Sequence, residues 1–372
     1  MGFDTDSKDS YDLMPLIYAA KGGYEVIVKR LLERGANINS KYSYNPTPLH
    51  YAAGGGYKVI AKRPLEKGAD INLVNNSRGQ TPLIYTVERG HEAIVKLLLE
   101  NGADINFIIH WNGRAPISYT AEGGYEATVQ QFLERNTDVS LKDNYGRTPL
   151  SYAAQGGHEA VVKQILDKDT NINLKSNFWH DWTPLSYAVE NGYKAIVEQL
   201  LEKGADINSK EYYDKRTALR YTAEGGHEAI FEWLLKKGAD INQRGDYDGW
   251  MPLRYTAEGS YKVIIKRLLE KGADINLKSS HNRVPLSYTT KNGYKAIMKL
   301  LLNKCAAIES KDNWGRTPLS HTAGDSYNTI VQHILTTGQV NPDSKDNWSQ
   351  TLLYFAAENS HNTIVQYLLA VG

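Results

Sequence analysis

Apolar positions in this chain recur at helical spacing and in two alternating lengths. In the clearest stretch Leu150, Ala153 and Ala154 stand at i, i+3 and i+4, which gives a short helix one small apolar face that a neighbour can approach closely. Thr148 is placed to accept a hydrogen bond from a free amide as N-cap, and Pro149 occupies the first helical position, where its missing N–H costs nothing. Gly157 ends that helix. A second apolar run follows, plainest at Ile94, Val95, Leu97, Leu98 and Leu99. That stripe is too wide for one helix to hide and must be shared with units on both sides. Gly102 then reads as a left-handed C-cap, and Ala103-Asp104-Ile105-Asn106 leads into an extended finger. The predicted order is helix, turn, helix, finger.

The pattern occurs eleven times at spacings of 33 to 35 residues, anchored at residues 14, 47, 81, 115, 148, 183, 217, 251, 284, 317 and 351. Such a period predicts an all-α solenoid of about eleven helix-turn-helix-finger units with a concave groove. It spans residues 12–372 as a single domain behind a polar lead, residues 1–11. The run Thr-Pro-Leu-x-x-Ala-Ala, Gly-His, apolar helix, Gly-Ala-Asp-x-Asn resembles the ankyrin repeat. The slot that the family usually fills with His holds Ser151, Ser186, Arg220 and Arg254 among others. Ser-Tyr-Ala-Ala and Gly-Gly-His-Glu-Ala resemble the long ankyrin arrays of filamentous fungi, some of which follow a nucleotide-binding signalling domain that is not read in these residues. The resemblance implies partner binding far more than catalysis.

Composition narrows the function further. Lys and Arg number 43 against 42 Asp and Glu, which argues against nucleic-acid or anionic-membrane binding driven by overall charge. The single cysteine, Cys305, excludes an internal disulfide framework and a cysteine-based zinc site, and suits an intracellular protein. No apolar run is long enough to span a bilayer and no leader is read at the N-terminus. Met1-Gly2 is not a myristoylation signal, because Asp6 stands where Ser or Thr is needed. The expected setting is intracellular and cytoplasmic, without distinction from the nucleus. Neither end carries an obvious polar capping unit, so the ends are capped by local changes or the chain is a segment of something longer.

Four positions depart from the repeat. Pro64 falls inside a second helix, where it removes a hydrogen bond at a cost of about 3 kcal/mol unless the helix kinks. Asn136, Asp169 and Cys305 replace the helix-ending glycine; Asn and Asp tolerate the left-handed region, while Cys costs about 1–2 kcal/mol there. No His partner for Cys305 is evident in its unit, so it reads as a tolerated cap.

Candidate binding residues lie on faces the core does not use. One slot of the first helix holds tyrosine in nine units, among them Tyr119, Tyr152, Tyr187, Tyr221, Tyr255 and Tyr288, followed by His321 and Phe355. Three residues on stand Glu88, Glu122, Glu190, Glu224 and Glu258. Together they predict an aromatic, acidic groove, interrupted by Arg220 and Arg254 in adjacent units. The fingers carry six of the seven tryptophans, including Trp111, Trp179, Trp182 and Trp250, joined by tyrosines such as Tyr213. Rigid aromatics on loops are the composition of recognition surfaces.

Catalytic motifs are absent: His91-Glu92 and its counterparts lack the second His of a zinc protease, and there is no phosphate-binding glycine loop or nucleophile elbow. No metal and no cofactor is expected. Two readings follow. The first is a scaffold that clasps a protein or peptide segment in the groove. The second is a small-molecule receptor or non-metal acid-base enzyme with a pocket in units five to eight, about residues 176–260, where His180, Asp181, Glu224, Tyr255 and Glu258 would supply acid and base.

Overall fold

Nine of the eleven repeats open with proline directly after the N-cap position, and Ala218 and Leu352 fill that slot in the other two. The side chains of Thr81, Thr148, Thr183 and Thr351 accept from the amide three residues on. Ser151 and Ser186 close reciprocal capping boxes back to Thr148 and Thr183. The one His in that slot, His50, makes a longer bridge: Nδ1 meets Thr47 Oγ1 at 2.8 Å and Nε2 reaches the Gln80 carbonyl of the next repeat at 3.0 Å. Serine therefore keeps the cap and gives up the link.

The computed structural model describes residues 4–10, 12–40, 46–168, 170–177, 181–212, 215–243, 252–259, 261–292, 294–323, 327–336 and 340–371. Among them the secondary structure is helix and turn, with no strand. The chain divides into two compact bodies, Met1–Ala205 and Asp206–Gly372. The first holds the helix pairs Pro15–Lys21 and Glu25–Glu33, Pro48–Gly54 and Lys58–Glu66, Pro82–Val87 and Glu92–Glu100, Pro116–Gly123 and Glu126–Leu133, Pro149–Gly156 and Glu159–Leu166, and Pro184–Glu190 and Lys194–Glu202. The second holds Ala218–Gly225 and Glu228–Lys236, Pro252–Glu258 and Lys262–Glu270, Pro285–Lys291 and Lys295–Leu302, Pro318–Ala323 and Asn328–Thr336, and Leu352–Glu358 and Asn362–Val371. Within each body the first helices of consecutive repeats pack side by side, and the second helices form a second layer.

The core is what the spacing implies, though narrower. Leu150, Ala153 and Ala154 are fully buried, as are Ile94, Val95 and Leu98, whereas Leu97 and Leu99 are only half-buried. At several junctions the residue before the second helix joins adjacent repeats. His91 and His158 reach the carbonyl oxygens of Gly54 and Glu122 at 3.1 and 2.8 Å, and the Tyr261 hydroxyl donates to that of Glu224. These carbonyls end the preceding first helices, so the histidine of the Gly-His turn satisfies an orphan acceptor rather than a metal.

Fingers are joined by a ladder of their own. The Asp70 amide donates to Asn39 Oδ1 and the Asp104 amide to Asn72 Oδ1, at 3.0 and 2.8 Å. At the tips, main-chain amides donate to the preceding finger: Asn144 to the Asn112 carbonyl, Asn177 to that of Tyr145, and Asn347 to that of Trp314. The departures also find their places. Helix Lys58–Glu66 runs through a buried Pro64, and Asn136 and Cys305 adopt φ of 55° and 62°, the left-handed cap expected of them. Asp169 lies outside the described residues. No helix among the described residues is long and apolar enough to cross a membrane.

Candidate functional site

The tyrosine slot of the first helix is mostly interior. Tyr119, Tyr187, Tyr221 and Tyr288 are buried, and Tyr152 is 1 % exposed, so the expected solvent-facing ladder is corrected for the middle of the row. A phenol has an apolar body and a polar tip, and both are matched here. The hydroxyl reaches its own finger: Tyr152 donates to Asp143 Oδ2 at 2.6 Å, Tyr288 donates to Ser279, Tyr221 donates to Glu211, and Tyr119 accepts from Asn112. The ring lies under arginine. Arg114 stands 3.9 Å from the centre of the Tyr119 ring and 4.1 Å from that of Tyr152; Arg220 covers Tyr255 and Arg254 covers Tyr288. Arg220 and Arg254 are therefore buried packing residues of the second body rather than the lip of an open site.

The acidic row is likewise not bare. Arg114 donates to Glu122 at 2.6 Å, Arg220 to Glu224 at 3.0 Å, and Gln80 to Glu88, which also faces Arg89 at 3.8 Å. The expected acidic groove is thus a row of carboxylates that bring their own cations. Glu190 is exposed at the end of its helix.

Between repeats three and four these groups enclose a cleft of about 450 Å³, lined by Arg78, Glu88, Arg89, Tyr119, Glu122, Gly123 and Tyr125. Burial pushes the Glu88 carboxyl above its ordinary pKa, against the pull of Arg89 and Arg78, and pushes the Tyr119 hydroxyl up as well. The exposed guanidinium of Arg78 makes no hydrogen bond among the described residues. Its carbonyl accepts from the Trp111 indole at 2.9 Å, which fixes a ring that is 63 % exposed beside the cleft. Of the residues singled out in the sequence, Tyr119 and Glu122 line the cleft with Arg78, Arg89 and Tyr125, and Trp111 is tethered next to it through the Arg78 carbonyl.

The other finger aromatics divide. Tyr145, Tyr212 and Trp348 are exposed. Trp182 packs edge-on against Tyr187 at 4.9 Å, and Trp314 stacks on His281. Trp179, His180, Tyr213 and Trp250 lie outside the described residues, as does the side chain of Glu258. Of the acid-base candidates, Asp181 sits half-buried in the first body at a φ of 52°. In the second, Glu224 is ion-paired and burial raises the pKa of the Tyr255 hydroxyl, which holds it protonated. No group of three metal-ligating side chains occurs among the described residues.

Asp143 and Arg114 went unread in the sequence although a signal was present. Arginine directly precedes the repeat anchor at Arg114, Arg147, Arg216, Arg283 and Arg316, and a finger aspartate stands four residues before it at Asp143 and Asp312. One repeat breaks the pairing. Phe355 fills the tyrosine slot, and the buried Asp346 Oδ2 is left with no hydrogen bond, 3.6 Å from Arg316 Nε. Phe355→Tyr restores a donor to that oxygen and is expected to stabilise the second body by about 1 kcal/mol, read as a shift in the denaturant midpoint.

A family model described as ankyrin repeats (three copies) matches residues 1–75, 58–143, 117–211, 209–279, 257–346 and 286–372. Among solved structures, the crystal structure of the human ASB11 ankyrin repeat domain aligns at a TM-score of 0.55 and 27% identity, over 61% of this chain and 99% of that one. No curated protein matches the chain.

Proposed function

The chain belongs to the ankyrin repeat family, whose members are in general protein-interaction modules, and from that premise we propose that it binds a partner segment across repeats three and four. The observation that carries this reading is the cleft lined by Arg78 and a half-buried Glu88, with the exposed Trp111 indole held next to it by the Arg78 carbonyl. An aromatic anchor next to a desolvated charge is the composition of a binding hot spot. The partner is a peptide segment that offers a carboxylate to Arg78 and an apolar side chain to Trp111. Arg114 already neutralises Glu122, so a basic segment gains little there. A single exposed thiol and a charge near zero fit an intracellular, cytoplasmic setting without nucleic acid.

Selection of displayed peptides on the full chain tests it. Enriched sequences pair an acidic with an aromatic or aliphatic residue, and Arg78→Glu or Trp111→Ala weakens them about 10-fold or more. Trp348→Ala, in the other body, leaves binding unchanged. Peptides that bind the Arg78→Glu, Trp111→Ala double variant as well as the parent would overturn the assignment.

A further inference from the structure

Four consecutive fingers of the first body open with the same turn. The amides of Asn72, Asn106, Ser140 and Asn173 each donate to Oδ1 of the residue two before them, at 2.8 to 3.1 Å. Neighbouring fingers are pinned in register. The Asp104 amide donates to Asn72 Oδ1 and the Asp138 amide to Asn106 Oδ1, at 2.8 and 3.3 Å, and at the next junction the Asn177 amide donates to the Tyr145 carbonyl at 2.7 Å. The residues two past each turn, Val74, Ile108, Lys142 and Lys175, therefore form one row across the fingers.

Ten fingers link the eleven repeats, and this position is Lys or Arg in eight of them. Lys142 is exposed and makes no ion pair among the described residues, and Lys175 is half-exposed. Solvation alone accounts for a cation at such a place. It does not account for the two exceptions, which fall in adjacent fingers: Val74 is half-buried and Ile108 is 42 % exposed. A lone exposed isoleucine is ordinary. Two apolar residues in succession in an otherwise basic row are not, and these are the same two fingers that carry Arg78 and the tethered Trp111 indole. In the first body the row therefore changes character along its length, apolar beside Arg78 and Trp111 and cationic at the next two fingers.

Resting on the reading that a peptide segment binds beside Trp111, we propose that this row sets the segment's sequence: apolar side chains lie on Val74 and Ile108, and acidic residues continue onto Lys142 and Lys175. A carboxylate placed over Val74 and Ile108 loses water and gains no cation, whereas one placed over the two lysines meets complementary charge. The row thus selects a bipartite segment and rejects one that is acidic or apolar throughout.

Peptide display repeated on two full-chain variants tests this. Val74→Lys with Ile108→Lys makes the row basic throughout, and the peptides it enriches are expected to exchange an apolar residue for an acidic one. A fluorescent copy of a peptide enriched on the parent binds that variant about 10-fold or more weaker. Lys142→Glu with Lys175→Glu weakens the same peptide to a similar degree and flattens its dependence on salt. Circular dichroism of both variants checks that the helices persist. Unchanged affinity and unchanged peptide composition in both variants, with Arg78→Glu still weakening the parent's peptides, overturn the role of the row and leave the site beside Trp111 standing. Peptides indifferent to Arg78→Glu and Trp111→Ala, or no enrichment on the parent, overturn both.

Discussion

Asp143→Ala is expected to lower the unfolding free energy of the first body by about 3 kcal/mol. The carboxylate is fully buried. Oδ1 accepts from the amides of Tyr145 and Arg147 at 2.9 and 2.8 Å, and Oδ2 from Arg147 Nε at 3.0 Å and the Tyr152 hydroxyl at 2.6 Å. Removing it strands two main-chain donors, a buried phenol and part of a guanidinium at once, and each stranded donor costs its own desolvation. Tyr152→Phe, which removes one of the four donors and leaves the acceptor served, is expected to cost about 1 kcal/mol. Denaturant titration of both variants checks the ratio. Equal losses would mean that the hydroxyl, and not the carboxylate that organises the finger, carries the energy.

The same hub explains how far the sequence could be read. Periodicity located the helices because helix packing is a property of one face at a time: Leu150, Ala153 and Ala154 announce burial by spacing alone. The tyrosine slot defeats that rule. It lies off the apolar stripe, and spacing assigns it to the outside, yet an arginine and a carboxylate from the fingers close over it. Burial there is produced by finger residues ahead of the anchor, which the spacing of apolar positions does not register and only the recurring Arg and Asp mark. Trp111 could be read as exposed because a finger tip meets only its neighbours. The cleft beside it could not, because Arg78 and Arg89 come from the preceding repeat and fit no recurring slot. The acidic row was legible as a row, while its neutralisation by Arg114 and Arg220 depended on side-chain reach.

Finger tips offer the second large effect. Gly146 has a φ of 73°, and a Cβ added there would lie 2.7 Å from the main-chain nitrogen of Asn177, the atom that donates to the Tyr145 carbonyl. Gly146→Ala therefore combines left-handed strain of about 1–2 kcal/mol with displacement of the next finger and loss of that hydrogen bond. A destabilisation of about 2–4 kcal/mol is expected. Gly102 supplies the control: its φ is 88°, but a Cβ there would meet nothing within 4 Å. Gly102→Ala should show the strain alone. The difference between the two unfolding free energies isolates the close approach of one finger to the next. Identical values would show that the tip-to-tip contact contributes no stability, and that the fingers are held only by the asparagine ladder beneath them.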